Sequence, residues 1–139
     1  MKTINNILFF FLILFLTSCM DLGSTPSKHV VGEFYILLPD PAGQITLSYQ
    51  NQDNKGSYWG VVGAMVFSVG YNEKYIIAKQ HPQTFPKSPN LKITNYYIVP
   101  IDMYVAKTHQ VPIGPLTLEQ FNEKRKELNI EKVKFAWEY

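Results

Sequence analysis

The stretch Tyr58-Trp59-Gly60-Val61-Val62-Gly63-Ala64-Met65-Val66-Phe67-Ser68-Val69-Gly70-Tyr71 is the longest apolar segment after the first 18 residues, and Asn72-Glu73 joins it to Lys74-Tyr75-Ile76-Ile77-Ala78-Lys79. Val61, Met65, Phe67, Val69 and Tyr71 share one parity, and Gly60, Val62, Ala64, Val66, Ser68 and Gly70 share the other. In a strand successive side chains alternate faces. One face is therefore mostly large and the other mostly small, which lets another layer approach the small face closely. The glycines permit a bulge or bend on the way. Asn72-Glu73 between two apolar runs predicts a hairpin.

Working outward, Phe34 to Leu38 reads as a short strand stopped by Pro39-Asp40-Pro41. Gln44 to Gln50 alternates, with Ile45, Leu47 and Tyr49 pointing inward and Thr46 and Ser48 expected on a wet face. Asn51 to Gly56 is a turn. His81 to Asn90 carries Pro82, Pro86 and Pro89 and cannot enter a central strand, so it is expected to be an extended surface loop. Ile93 to Ile101 is a further strand, and Met103 to Lys107 a short one or a continuation past Pro100.

A single helix is predicted over 117–128. Thr117 is its N-cap and Gln120 closes a capping box, while Leu116 and Phe121 make a hydrophobic staple. Leu118, Phe121 and Leu128 are expected on one face, and Asn129 suits a left-handed residue after the helix. Eleven or so residues are marginal alone, so the helix must dock on the sheet. Residues 132–138 alternate again as a final strand, with Val133, Phe135, Trp137 and then Tyr139 inward. The fold class is α+β: a mostly antiparallel sheet with one C-terminal helix packed on it, forming a single domain over 31–139.

Nine Tyr, nine Phe and two Trp with only 17% charged residues argue against disorder. The net charge of +2 leaves no electrostatic footprint for nucleic acid. The single cysteine, Cys19, excludes an intrachain disulfide and any thiolate zinc cluster.

The amino terminus is distinctive. Ile7 to Leu16 is an unbroken apolar run of ten residues preceded by Lys2. A membrane-spanning helix needs about 20 such residues; ten match the apolar region of a secretory signal. Leu16-Thr17-Ser18-Cys19 follows directly and resembles the bacterial lipobox. That resemblance implies a signal peptide over 1–18, cut before Cys19, with lipid such as palmitate added there. Residues 19–30 read as a lipidated start and a flexible tether. The expected location is the cell envelope, anchored to a membrane, with a periplasm-facing place at the outer membrane as the default.

Chemistry is sparse. His29, His81 and His109 show no helical spacing that would make a metal pair, and no metal or other cofactor is expected. A set of His81 and His109 with a carboxylate, or of Ser57, His81 and Asp102, is available on paper, as it would be from almost any chain. No nucleophile elbow surrounds Ser57, Ser68 or Ser88. Asp40, Asp53, Glu73 and Asp102 sit beside turns, where acids usually solvate. Binding is the stronger case. Tyr58, Trp59, Tyr96, Tyr97, Trp137 and Tyr139 are candidates for a partner-binding face, and adjacent Tyr96 and Tyr97 must point to opposite sides. Pro86-Lys87-Ser88-Pro89 has P-x-x-P spacing but reads first as a rigid connector.

Tyr71 to Pro82 followed by Tyr96-Tyr97-Ile98-Val99, and Gly114 to Phe121 continuing to Leu128, resemble uncharacterised small bacterial lipoproteins known as domains of unknown function. That resemblance implies a hairpin and a capped helix, and carries no activity. The expectation is a non-enzymatic envelope lipoprotein that binds a protein partner or stabilises an envelope structure. A narrower form is an immunity or inhibitor protein against a toxin or hydrolase; a competing form is a small enzyme with a site near His81 or His109.

Overall fold

In the computed structural model, residues 27–38, 44–84, 86–102 and 111–138 are described. β1 (Ser27–Val31), β2 (Phe34–Leu37), β3 (Thr46–Gln50) and β4 (Tyr58–Val62) form a first antiparallel sheet in that spatial order. β5 (Val66–Tyr71), β6 (Tyr75–Gln80), β7 (Asn95–Pro100), β8 (Ile113–Leu116) and β9 (Trp137–Glu138) form a second, in the order β8-β7-β6-β5-β9. One helix, α1 (Leu118–Glu127), lies between β8 and β9 in the chain. The α+β class stands; the single expected sheet is two.

The apolar run 58–71 is where the two sheets divide. It is split between β4 and β5 by a bend at Gly63-Ala64-Met65, with Met65 at φ 70°. Beyond the bend, Val66 N–H donates to the Ile45 carbonyl at 2.9 Å, which ties the start of β5 to the start of β3. A bulge at Phe67 then shifts the parity, so Val66 and Val69 both lie fully buried. Strict alternation through 61–71 is corrected on both counts.

Three layers result. Between the sheets, Phe34, Ile36, Leu47 and Val62 meet Val69, Ile76, Ala78 and Val99. On the other side of the second sheet, Ile77 and Ile98 meet Phe121, Ile130 and Val133. Ile76, Ile77 and Ala78 of β6 are all wholly buried, so this strand is apolar on both faces.

The helix follows its sequence signals. Gln120 N–H donates to the Thr117 hydroxyl at 3.3 Å, and Thr117 N–H donates to the Gln120 side chain at 3.0 Å. Phe121 stacks on Tyr96 with centroids 4.9 Å apart. Asn129 adopts φ 55°, as a residue after the helix should. Leu118 departs from expectation: it is 54% exposed. It lies in the first turn and lines a surface groove with Ile93 and Leu116 instead of joining the core under the helix.

Two boundaries change. Ser27 to Val30, expected in the tether, belong to edge strand β1. The final strand pairs only at Trp137 and Glu138, against Val69 and Ser68. Val133 is buried and Phe135 half-buried while Lys134 and Ala136 are exposed, so the alternation persists ahead of the short ladder, which Ala136 N–H opens by donating to the Val69 carbonyl at 2.8 Å. Before it, Arg125 Nη2 donates to the carbonyls of Ile130, Glu131 and Val133, the last at 2.6 Å. The backbone at 134–135 is thereby laid across the small face of β5. A Cβ at Gly70 would overlap the Lys134 carbonyl.

Gly70→Ala should therefore lower stability by about 3 kcal/mol, the upper range for overpacking. Gly60→Ala, where no atom lies within 4 Å of the new methyl, should stay within about 0.5 kcal/mol of the parent. Urea unfolding of the two variants side by side checks the contrast.

Candidate functional site

The first sheet packs its inner face on the second and carries an aromatic row on its outer face. His29 pairs with Tyr35, Tyr35 with Ser48, and Ser48 with Gly60, while Gln50 pairs with Tyr58. Cross-strand partners share a face. The His29 and Tyr35 rings meet edge to face at 5.2 Å, and Tyr35 and Tyr58 at 5.6 Å. Tyr35 and Tyr58 stand on the strands flanking β3, so their contact spans Ser48, which is buried; the wet face expected there is corrected.

Polar bonds order this row. Gln50 Nε2 donates to the Tyr58 hydroxyl at 3.2 Å. Ser48 and Thr46 hydroxyls are 3.1 Å apart. The His29 Nε2–H donates to the Gly32 carbonyl at 2.7 Å. The row's side chains include no Lys, Arg, Asp or Glu. Trp59, adjacent to Tyr58, points to the other face at the sheet's rim and is 41% exposed.

The other candidates are placed less favourably for chemistry. His81 stacks on Phe67 at 4.2 Å, and its Nδ1–H donates to the Ile93 carbonyl at 2.8 Å. It thus holds the two ends of the proline-rich loop. Ser57 and Asp102 lie at the opposite end of the strands. The five steps of β6 alone separate the two ends by about 17 Å, so Ser57, His81 and Asp102 do not assemble. Among the described residues no group of three His, Cys, Asp or Glu could hold a metal ion. Cys19, Asp40, His109 and Tyr139, and the strand expected at 103–107, lie outside the described residues, and the Trp137 side chain is likewise not described.

Neither Tyr96 nor Tyr97 supplies an open face. Tyr96 is under α1 and Tyr97 packs between the sheets, both half-buried. Pro86 to Pro89 belongs to a loop closed by Lys87 N–H to the Thr84 carbonyl and Asn90 N–H to the Pro82 carbonyl, each at 2.9 Å, as a rigid connector would be.

One buried polar group went unread in the sequence. Gln80 is 9% exposed; its Nε2 donates to the Ala64 carbonyl at 2.9 Å, and its Oε1 accepts from the Tyr97 hydroxyl at 3.1 Å and from Asn95 at 3.4 Å. Burial raises the Tyr97 phenol above its ordinary value, and the Asn95 hydrogen bond partly offsets this. The signal was available: Gln80 shares parity with the core residues Ile76 and Ala78. Nearby, a surface groove of about 430 Å³ runs between the end of the loop and α1, lined by Lys92, Ile93, Tyr96, Leu116, Leu118 and Gln120.

A family model described as "Protein of unknown function (DUF3997)" matches residues 32–137. No curated protein and no solved structure matches.

Gln80→Leu strands the Tyr97 hydroxyl, the Asn95 amide and the Ala64 carbonyl together. It should cost about 3 kcal/mol, the upper end for a lost buried partner, and Tyr97→Phe about 1 kcal/mol. Denaturant midpoints measured at neutral pH decide this.

Proposed function

We propose that this chain, which belongs to the DUF3997 family of proteins of unknown function, is a lipid-anchored envelope protein whose domain binds a protein partner on the outer face of its first sheet. The observation that carries the reading is the ring row His29–Tyr35–Tyr58, laid across β1, β2 and β4. Interface cores are depleted of charge and enriched in tyrosine, and buried tyrosines are recurrent hot spots. This face has that composition. Its hydrogen bonds fix the Tyr58 ring before any partner arrives, which lowers the ordering cost of binding.

The anchor is supported by Leu16-Thr17-Ser18-Cys19 set directly after ten apolar residues. Lipid on the Cys19 sulfur and amine would hold the chain by two or more acyl chains, since one alone binds marginally. Catalysis has no part in the reading: His81, the described histidine of the competing proposal, spends its ring on Phe67 and Ile93.

Cys19→Ala should abolish incorporation of labelled palmitate and move the protein out of the membrane fraction. A photocrosslinking residue at His29 should give a discrete partner adduct in intact cells, and the same probe at Glu73 should not. Tyr58→Ala should weaken that partner about thirtyfold, a hot-spot loss of about 2 kcal/mol. Equal adducts from both positions would refute the assigned face.

A further inference from the structure

We infer that one end of the domain, made by the 86–94 part of the loop and the start of α1, docks on the bilayer surface; this rests on the Cys19 anchor proposed above. The sheet registers put the chain's entry at that end. Ser27 pairs with Leu37, and Leu37 with Thr46. Neighbouring Ile45 accepts from Val66 across the two sheets. Val66 pairs with Gln80, Gln80 with Asn95, and Tyr96 with Leu116. Ser27, the loop after Gln80, and the first turn of α1 therefore share one end of the sandwich.

Seven residues, 20–26, separate Cys19 from Ser27. Whatever their conformation, they reach at most about 28 Å. Docking by this end needs the least of that reach, because the far end of the strands lies about 17 Å further on. This end exposes three aliphatic side chains close together: Leu91 is 66% exposed, Leu118 54% and Ile93 48%, whereas among the described residues the other end exposes Val111 alone, at 82%. Ile93 and Leu118 line the groove described above, and Leu91 stands beside it on the loop.

Charge is divided the same way. The sequence from Lys74 to Ile101 contains no Asp or Glu, and Lys87 and Lys92 are exposed on the loop. Glu33, Asp53, Glu73 and Asp102 all sit in turns or strand ends at the opposite end. Lys55 and Lys74 stand among those four acids, so that end has a net negative charge among the described residues. Glu119 and Glu123, in the first half of α1, are described acids beside Leu118. An anionic headgroup layer would meet the loop lysines on this end and an excess of carboxylates on the other. Exposed aliphatic residues with basic neighbours suit the interfacial zone of a bilayer. Three such residues would bind weakly from solution. On an anchored chain the contact is intramolecular, and a high effective concentration makes a weak patch sufficient.

Docking by this end stands the strands away from the membrane. The outer face of the first sheet then lies along the membrane normal, open to a partner from the side.

The test uses the full lipidated chain reconstituted in vesicles of phosphatidylethanolamine and phosphatidylglycerol. A bimane probe is placed at Leu91→Cys or, at the far end, at Asp53→Cys; both positions are exposed. Quenching by brominated acyl chains should be at least fivefold greater at Leu91 than at Asp53, and Lys92→Glu should reduce it. Equal quenching at both sites overturns docking and leaves the anchor standing. Shielding of the Leu91 probe from aqueous iodide without quenching by brominated lipid overturns it too, because a second copy then covers the patch. Bimane attached to Cys19 itself overturns the anchor reading, and with it the premise for docking.

Discussion

The hydrogen bond from Gln80 Nε2 to the Ala64 carbonyl holds the point on which the three layers depend. The chain leaves the first sheet at Val62 and enters the second at Val66, so three residues make the crossing. A bend that short, at the margin of a core, strips backbone groups of their ladder partners, and they are paired again. The Ala64 carbonyl goes to Gln80 and the Met65 carbonyl to His81 N–H. The Val66 N–H goes to Ile45. Gln80 can serve because Tyr97 and Asn95 fix the orientation of its amide. The network is costly to leave half-satisfied, so it favours one crossing geometry and thus one stacking of the sheets.

From that geometry the division of surfaces follows. The second sheet is covered by the first on one side and by α1 with the 130–136 segment on the other, and β6 has no wet face. The first sheet is covered on one side alone among the described residues. Its outer face is thus where broad side-chain chemistry can be displayed, and His29, Tyr35 and Tyr58 occupy it. The tyrosines the sequence offered with equal weight are sorted by layer. Tyr58 reaches the open face, whereas Tyr96 and Tyr97 serve the two cores.

What was legible in the sequence was local. The capping box at Thr117 and Gln120 and the turn at Asn72 involve residues a few positions apart, and each formed as read. The turn is made by Asn72 Oδ1 accepting from Tyr75 N–H at 2.8 Å. What escaped was non-local. Ser27, Lys28 and His29 look like linker residues because an edge strand need bury little, and only pairing with β2 reveals them. The bulge at Phe67 places that ring on His81, fourteen positions on, and no parity count anticipates it. Lys132 to Phe135 alternates yet pairs with no strand, and the Val133 carbonyl accepts from Arg125 of the helix instead.

The candidate site was half legible for the same reason. Tyr58 could be named as a binding candidate, but its partners His29 and Tyr35 are contributed by strands that the sequence left as tether and as core. An aromatic face assembled across β1, β2 and β4 is a property of register, and register is set by which residues the second sheet buries beneath it. Phe34, Ile36 and Leu47 must face that sheet; their neighbours Tyr35 and Ser48 are thereby committed to the outside. The face proposed to bind a partner is in this sense the reverse side of the core.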